Sequence, residues 1–250
     1  INIADESKSD YVEHDSLYTN KLMHNKFVIF DDKIVYTGSM NLSPTGLSGF
    51  NANTVLIINS TQVADFYTKE FEQMLNGKFH DKKSKSQQNS FILSGNLIRV
   101  YFSPQDNSVK DIVNLINNAK TYIYMPIFLI TDKDISSALV KAKNRGVDIK
   151  IIMDANNIFT THSKPNYLRS NNIKLKTENY AGKMHSKTII IDDKYLVIGS
   201  MNFSNSGANK NDENVIKPMN DGKVSAKQAE ALAIVKQLID SLWNLPVAYR

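Results

Sequence analysis

Apolar residues from position 97 onwards form short runs that alternate with helical stripes. The runs over 97–102, 121–130 and 147–154 predict strands. Between these runs, apolar residues recur every three or four positions, which predicts helices over 108–119 and 132–145. The order strand, helix, strand, helix, strand is typical of an α/β fold.

The remainder of this portion continues the same pattern. A polar loop over 155–166 precedes a predicted strand over 173–177, and a β-hairpin follows it. A last apolar stripe predicts a helix over 225–243, with its apolar side in contact with the core. We therefore expect one complete α/β unit in this portion of the chain.

The portion before residue 77 is shorter and has fewer predicted elements. It contains a hairpin, a strand over 54–58 and a helix over 60–75, but no counterpart of residues 97–172. The apolar face of a hairpin needs a second layer, which a preceding segment of a longer chain or another copy of this chain would supply. The side chains expected to lack cover on at least one face are Phe27, Ile29, Ile34 and Tyr36.

The two predicted hairpins carry the same polar residues in the same register. The sequence MHNKFVIFDDK at 23–33 runs on to GSMN at 38–41, and MHSKTIIIDDK at 184–194 runs on to GSMN at 199–202. The matched positions are 161 residues apart, since 185 − 24, 187 − 26 and 202 − 41 all equal 161. A repeat that served packing would preserve mainly an apolar pattern, whereas this one preserves residues capable of chemistry.

The spacing within each copy indicates which side chains act together. In an extended chain His24 and Lys26 point to the same side, while Asp31 falls on the other face or beyond it. An imidazole can attack or exchange a proton near neutral pH, and an adjacent ammonium group would hold an anionic oxygen. The returning strand brings Ser39 and Asn41 to the same end, where their donors would complete a phosphate cradle.

This arrangement, His-x-Lys-x4-Asp followed by Gly-Ser-x-Asn and present twice, resembles the HKD signature of the phospholipase D superfamily. The resemblance covers most of the chain. It implies an α/β fold of two phospholipase D-like repeats, with mixed sheets flanked by helices, a pseudo-twofold axis and a truncated first repeat. We expect the end of the first repeat over 1–76, a polar basic linker over 77–95 and the second repeat over 96–250.

The resemblance also implies one active site between the repeats and a ping-pong mechanism. One histidine would form a covalent phosphohistidine, and the other would protonate the leaving group and then activate water, with no metal and no cofactor. The residues expected to be catalytic are His24, His185, Lys26, Lys187, Asp31, Asp192 and Glu213. Those expected to bind the phosphate are Lys26, Asn41, Lys187, Asn202, Ser39 and Ser200.

The repeats differ in one acidic position. The second continues as Asn-Asp-Glu-Asn-Val at 211–215, where related proteins commonly have an acid that orients a histidine, and the first continues as Asn-Ala-Asn-Thr-Val at 51–55. With a one-residue slip, no carboxylate stands opposite Glu213. A carboxylate fixes the tautomer and stabilises imidazolium, so the two histidines are expected to be unequal. The resemblance favours His24 as nucleophile, although Glu213 could favour whichever histidine it contacts.

Less specific interpretations apply to single features. One His-x-Lys pair alone is usually solvated or structural, but two copies in register favour catalysis. A metal site is disfavoured because a lysine lies two residues from each histidine and the chain has no cysteine. The other histidines, His14, His80 and His162, lie in polar stretches and are expected to be exposed.

Charge and composition restrict the partners only partly. The net charge of +5 and the pI of about 9.1 favour an anionic substrate, and we rank nucleic acid slightly ahead of phospholipid, with a non-catalytic phosphate-binding module as a weaker alternative. No apolar run is long enough to span a bilayer and no signal peptide is present in the printed sequence. These features leave a cytoplasmic or exported bacterial-type protein equally possible.

Overall fold

The computed structural model describes residues 21–86, 88–178, 182–219 and 226–244. Two β-sheets and their flanking helices form a mixed α/β fold, as predicted. The strands are β1 (Phe27–Phe30), β2 (Ile34–Gly38), β3 (Val55–Asn59), β4 (Ser90–Leu93), β5 (Asn96–Ser103), β6 (Tyr122–Ile127), β7 (Asp148–Met153), β8 (Lys174–Thr177), β9 (Ile189–Ile191), β10 (Tyr195–Gly199) and β11 (Glu213–Met219). The helices are α1 (Pro44–Leu47), α2 (Thr61–Leu75), α3 (Ser108–Asn118), α4 (Lys133–Asn144), α5 (Pro165–Ser170), α6 (Asn205–Asn209) and α7 (Ala226–Asn244).

The larger sheet has eight strands in the order β4-β5-β11-β10-β9-β6-β7-β8. Strands β6, β7 and β8 are parallel and the other pairs are antiparallel. Helices α3 and α4 pack on one face and α7 packs on the other, so both faces of the central strands are buried. This double burial explains why 121–130 and 147–154 read as nearly continuous apolar runs. The structure adds the short helix α5 at the end of the predicted polar loop.

The smaller sheet is an antiparallel β1-β2-β3 sheet, and one of its faces is covered. Helix α2 and side chains of β4, β5 and β11 pack on that face. Phe27 and Ile29 therefore contact a shared core, and the expectation that they lack cover is wrong. The opposite face leaves Phe30 49% and Ile57 67% exposed, with Ile34 and Tyr36 half-buried. The source of any further layer on that face stays a prediction.

The segment 77–95 is more ordered than a solvated linker. It contains a 3-10 turn at His80–Lys82 and strand β4, which pairs with β5. Lys83 is buried and forms ion pairs with Glu70 and, at 2.7 Å, with Asp212. The polar sequence of this segment predicted that it is solvated. Its Lys83 and His80 side chains instead lie against buried carboxylates of both repeats, Glu70 and Asp212. The domain boundaries themselves stay a prediction.

Two expectations about the remaining histidines can be compared with the structure. His80 is buried, and its Nδ1 lies 3.0 Å from a carboxylate oxygen of Asp212, so the expectation of exposure is wrong for it. His162 is exposed, as predicted. His14 lies outside the described residues. Within the described portion, no helix has both the length and the apolarity that a bilayer span requires.

Candidate active site

His24 is held by a carboxylate of the second repeat. Its Nδ1 lies 2.8 Å from each carboxylate oxygen of Glu213. Glu213 is fully buried and accepts hydrogen bonds from Ser200 Oγ at 2.5 Å and from Asn211 Nδ2 at 3.3 Å. A carboxylate only accepts hydrogen bonds, so the nitrogen that faces it must donate one. Nδ1 of His24 therefore carries the proton, and the lone pair of the neutral ring is on Nε2.

His185 is held in the same way by an amide of the first repeat. Its Nδ1 lies 3.1 Å from Oδ1 of Asn53, and Oδ1 also accepts a hydrogen bond from Ser39 Oγ at 3.0 Å. The prediction that no carboxylate stands opposite Glu213 is confirmed, because the equivalent position is Asn53. Each histidine is therefore oriented by the opposite repeat.

Backbone hydrogen bonds fix the two histidines at the junction of the repeats. His24 N donates to the carbonyl of Asp212, and His185 N donates to the carbonyl of Ala52, both at 2.9 Å. These bonds belong to short parallel bridges, Met23 with Asp212 and Ala52 with Met184. The two motifs consequently meet in one site.

The glycines of the two Gly-Ser-x-Asn segments allow the serines to reach this position. A Cβ on Gly38 would lie 2.2 Å from the carbonyl oxygen of Thr54, and one on Gly199 would lie 2.1 Å from that of Asn214. The following serine hydroxyls accept the backbone N–H of Thr54 and of Asn214 at 2.9 and 3.0 Å. Only glycine permits this close strand pairing, which aims each serine at the residue that orients a histidine.

Both lysines of the motifs lie beside the histidines, Lys187 buried and Lys26 half-buried. Nζ of Lys26 donates to the carbonyl of His24 at 2.8 Å, and Nζ of Lys187 donates to that of His185 at 2.6 Å. Burial lowers the pKa of Lys26 to about 8, although the charge of Glu213 opposes the shift. Burial and the charge of Lys26 lower the pKa of Lys187 well below its ordinary value.

His185 experiences the same positive field. Burial and the charges of Lys187, Lys26 and His24 lower the pKa of His185 to about 3. The Phe128 ring adds an apolar wall, with its centroid 5.0 Å from the imidazole and 4.7 Å from Nζ of Lys187. Cationic groups concentrated in a partly buried site fit an anion such as phosphate, which would relieve their mutual repulsion.

The remaining predicted residues are two asparagines, two serines and two aspartates. Asn41 borders a cleft of about 290 Å³ that His24 and Lys26 also line. Asn202 is half-buried, and its Oδ1 has no hydrogen-bond partner among the described residues, so both asparagines stay proposed phosphate ligands. Ser39 and Ser200 donate hydrogen bonds to Asn53 and Glu213, the residues behind the histidines, and their predicted role in binding phosphate stays a prediction.

Asp31 and Asp192 lie away from the histidines, and their predicted catalytic role stays a prediction that no contact in the structure supports. Both lie in the turn at the far end of the hairpin and adopt positive φ angles of 50° and 56°. Asp192 accepts hydrogen bonds from the backbone N–H groups of Lys120, Thr121 and Tyr122 at 2.7 to 2.9 Å. These bonds anchor the hairpin to the start of β6, which gives Asp192 a structural role.

Asn53 and Phe128 are the site residues that the sequence analysis missed. Asn53 stands 160 positions before Glu213, so the slipped register contained a signal for it. Phe128 follows β6 and reaches the site because Ile127 bridges to Lys187, a contact between distant parts of the chain. No local pattern identifies such a residue.

Sulfate is expected to bind between the two lysines with an affinity that depends on pH. The pKa of Lys26 is about 8 in the empty site, so its ammonium group loses its proton as the pH rises through that value and sulfate loses a cationic partner. Calorimetric titration from pH 6 to 10 should show affinity falling more steeply above pH 8, a feature that Lys26→Met should remove. Lys141→Met, which changes an exposed lysine of α4, is the matched control. An unchanged steep region in Lys26→Met would contradict this placement of the anion.

Comparisons with known proteins agree with this geometry. The family model described as "Cardiolipin synthase, PLD-like domain" matches residues 4–75 and 112–243. A phospholipase D of Rickettsia bellii is 36% identical over 124 residues, which are 50% of this chain and 62% of that protein. The chain thus spans about three fifths of the length of this relative.

Solved structures also resemble the fold. The phospholipase D family member Nuc from Salmonella typhimurium is 32% identical with a TM-score of 0.53, covering 61% of this chain and 97% of that one. A phosphatidylserine synthase from Haemophilus influenzae has a TM-score of 0.64 over 87% of this chain and 62% of that one. Its identity is 13%, so this second likeness concerns the fold alone.

Proposed function

The chain belongs to the phospholipase D superfamily, and from that premise we propose that it is a metal-independent phosphodiesterase acting through a phosphohistidine. The observation that best supports this is the arrangement of His24 and His185, each oriented through Nδ1 by the opposite repeat and each beside a motif lysine whose pKa is lowered by desolvation. Two imidazoles with available Nε2 lone pairs and two cations supply a nucleophile, a proton donor and an anion cradle.

The first step forms the covalent intermediate. Nε2 of His24 attacks phosphorus, the bond from phosphorus to the leaving oxygen breaks, and that oxygen takes a proton from Nε2 of the His185 imidazolium. Lys26 and Lys187, with Asn41 and Asn202 as further donors, stabilise the charge on the equatorial oxygens. The leaving alcohol departs and a phosphorylated His24 remains, with His185 neutral.

Hydrolysis reverses these roles. His185 accepts a proton from water while the hydroxyl oxygen attacks phosphorus, and the phosphorus–nitrogen bond to His24 breaks. The products are a phosphomonoester, a neutral His24 and a His185 imidazolium. His24 is assigned as nucleophile because Glu213 stabilises the positive charge that develops on its ring during attack.

Nucleic acid is the first candidate substrate. The chain has a net charge of +5. Binding of a polyanion to such a protein is favoured because the polyanion releases its counterions. If this is right, cleavage of plasmid DNA or single-stranded RNA should weaken strongly with added salt. The same chemistry applies to each phosphodiester of the backbone.

Phospholipid is the second candidate, and the lining of the cleft favours it. Beside His24 and Lys26, the cleft is lined by apolar side chains such as Met23, Val28 and Met40 together with Asn25 and Asn41, and Leu42 at its border is 67% exposed. An acyl chain or glycerol backbone suits such a wall better than a ribose phosphate does. The name of the Rickettsia bellii relative, phospholipase D, points the same way.

One assay distinguishes these substrates and tests the reaction. The protein is incubated in EDTA with plasmid DNA, single-stranded RNA, phosphatidylcholine vesicles and cardiolipin vesicles, and the products are analysed. We expect cleavage of one class with EDTA present, because side chains supply both nucleophile and acid. Activity that disappears in EDTA and returns with magnesium or zinc would contradict the mechanism.

Glu213→Gln is expected to reduce turnover by about 10²-fold and to change the pH profile. Without the carboxylate, the positive charge that develops on the His24 ring during attack loses its stabilising partner, so turnover falls and the kcat/KM profile changes shape. A pH–rate profile measures this, and a circular dichroism melt checks that the fold is intact. If the profile keeps its shape and position, Glu213 is a structural acid only.

A further inference from the structure

Asn53 occupies, in one half of the site, the place that Glu213 occupies in the other. Asn53 Oδ1 accepts from Ser39 and meets Nδ1 of His185, while Glu213 accepts from Ser200 and meets Nδ1 of His24. The two orienting positions have matching neighbours. They differ in charge, since one is a neutral amide and the other a carboxylate.

The orientation of the Asn53 amide is fixed by its own hydrogen bonds. Its Nδ2 donates to the carbonyl of Asn51 at 3.3 Å, which directs Oδ1 towards His185 and Ser39. An oxygen at this position accepts a proton from Nδ1 and leaves the lone pair of His185 on Nε2. Both histidines thus have the same tautomer, and the difference between them is electrostatic.

The surroundings of His185 make that difference large. The imidazole is 8% exposed, and no formal negative charge comes from the residue that orients it. Lysines of both repeats raise the local positive potential, and burial with these charges lowers the pKa of His185 to about 3. The groups that face it are Lys187 two residues further along the chain, Lys26 and His24 from the first repeat, Asn53 at Nδ1, and the Phe128 ring, with Glu213 bound to Nδ1 of His24.

Resting on the phosphohistidine mechanism above, we propose that Asn53 is a positioning residue that keeps His185 neutral until an anionic phosphodiester binds. Protonation of the general acid is then coupled to substrate binding. The anion enters, His185 Nε2 takes a proton from solvent, and the same proton later passes to the leaving oxygen as the bond from phosphorus to that oxygen breaks. A carboxylate at position 53 would hold this proton in the empty site.

Proton uptake on anion binding tests this coupling without any turnover. Sulfate is titrated into the full chain at pH 5 in buffers of different ionisation enthalpy, since sulfate stays unprotonated at this pH. We expect the wild type to take up about one proton per sulfate bound, and Asn53→Asp to take up less than about half a proton, because the carboxylate raises the pKa of His185 from about 3 to about 5–6 and the ring is already largely protonated at pH 5. Asn114→Asp adds the same charge to an exposed site on α3 and should behave as wild type.

The pH–rate profile gives a second readout that a purely structural role would not change. In Asn53→Asp the alkaline limb of kcat/KM should move up by about 2–3 pH units, because this limb reports the acid of the free enzyme. Asn53→Glu, with the side-chain length of Glu213, is measured in parallel so that the result does not depend on one variant folding.

The outcomes separate this inference from the proposed function. Wild-type proton uptake together with a wild-type alkaline limb in both folded Asn53 variants would overturn the role of Asn53 while leaving the phosphohistidine mechanism intact. Reduced uptake and a shifted limb would support it. Loss of the proposed function would appear elsewhere, as a wild-type protein whose activity does not depend on His24 or His185.

Discussion

Replacing His24 or His185 by alanine should lower phosphodiester turnover by at least about 10³-fold. The reason is that each ring supplies something the other cannot replace: His24 forms the bond to phosphorus and His185 moves the proton. Each is also oriented by the opposite repeat, so a surviving histidine cannot take over both tasks. Initial rates with bis(p-nitrophenyl) phosphate, measured in EDTA, report the loss directly.

His162→Ala is the matched control for these variants. His162 is exposed and lies in a loop outside the site, so its removal should leave turnover within about twofold of wild type. The variant lacking both histidines should be hardly slower than either single variant, because groups that act as a unit are not additive. If either single histidine variant kept a tenth of wild-type activity, the shared-site mechanism would be wrong.

Lys83→Met should lower the free energy of unfolding by about 3–5 kcal/mol. Lys83 is fully buried between Glu70 and Asp212, and it also donates to the carbonyl of Ser103 at 3.2 Å. Removing it leaves two buried carboxylates facing each other, and burial already raises the pKa of Glu70. Urea denaturation at pH 7 measures the change.

An exposed ion pair provides the comparison for Lys83. Lys69 and Asp65 lie one turn apart on α2, 2.7 Å from each other, and both are more than 60% exposed. Lys69→Met should therefore change the stability by no more than about 1 kcal/mol. Equal effects of the two substitutions would show that the buried cluster does not link the segment 77–95 to the repeats.

The sequence was sufficient to predict the chemistry of the two motifs because the repeat keeps one register over them. A constant offset of 161 identified His24 with His185 and Lys26 with Lys187, and strand alternation placed each histidine with its lysine. The α/β units were likewise readable, since buried parallel strands and amphipathic helices have distinct periodicities.

Contacts across the repeat junction were beyond such reasoning. Glu213 orients His24, and Asn53 orients His185. Both contacts depend on how the two repeats pack against each other. Lys83 belongs to a polar segment, and polarity alone cannot distinguish a solvated lysine from one that neutralises two buried acids. Asp192 shares the motif with the histidine, yet the hairpin separates them along its length.

The central claim, that two motifs build one site with one nucleophile, is tested most directly by burst kinetics. The chain is mixed with bis(p-nitrophenyl) phosphate in EDTA, quenched in alkali, which preserves phosphohistidine, and digested for peptide mapping. We predict a burst of about one nitrophenolate per chain and a nitrophenylphosphoryl group on His24, as expected of a ping-pong covalent enzyme. A burst of two per chain with both histidines labelled, or hydrolysis with neither labelled, would contradict the account.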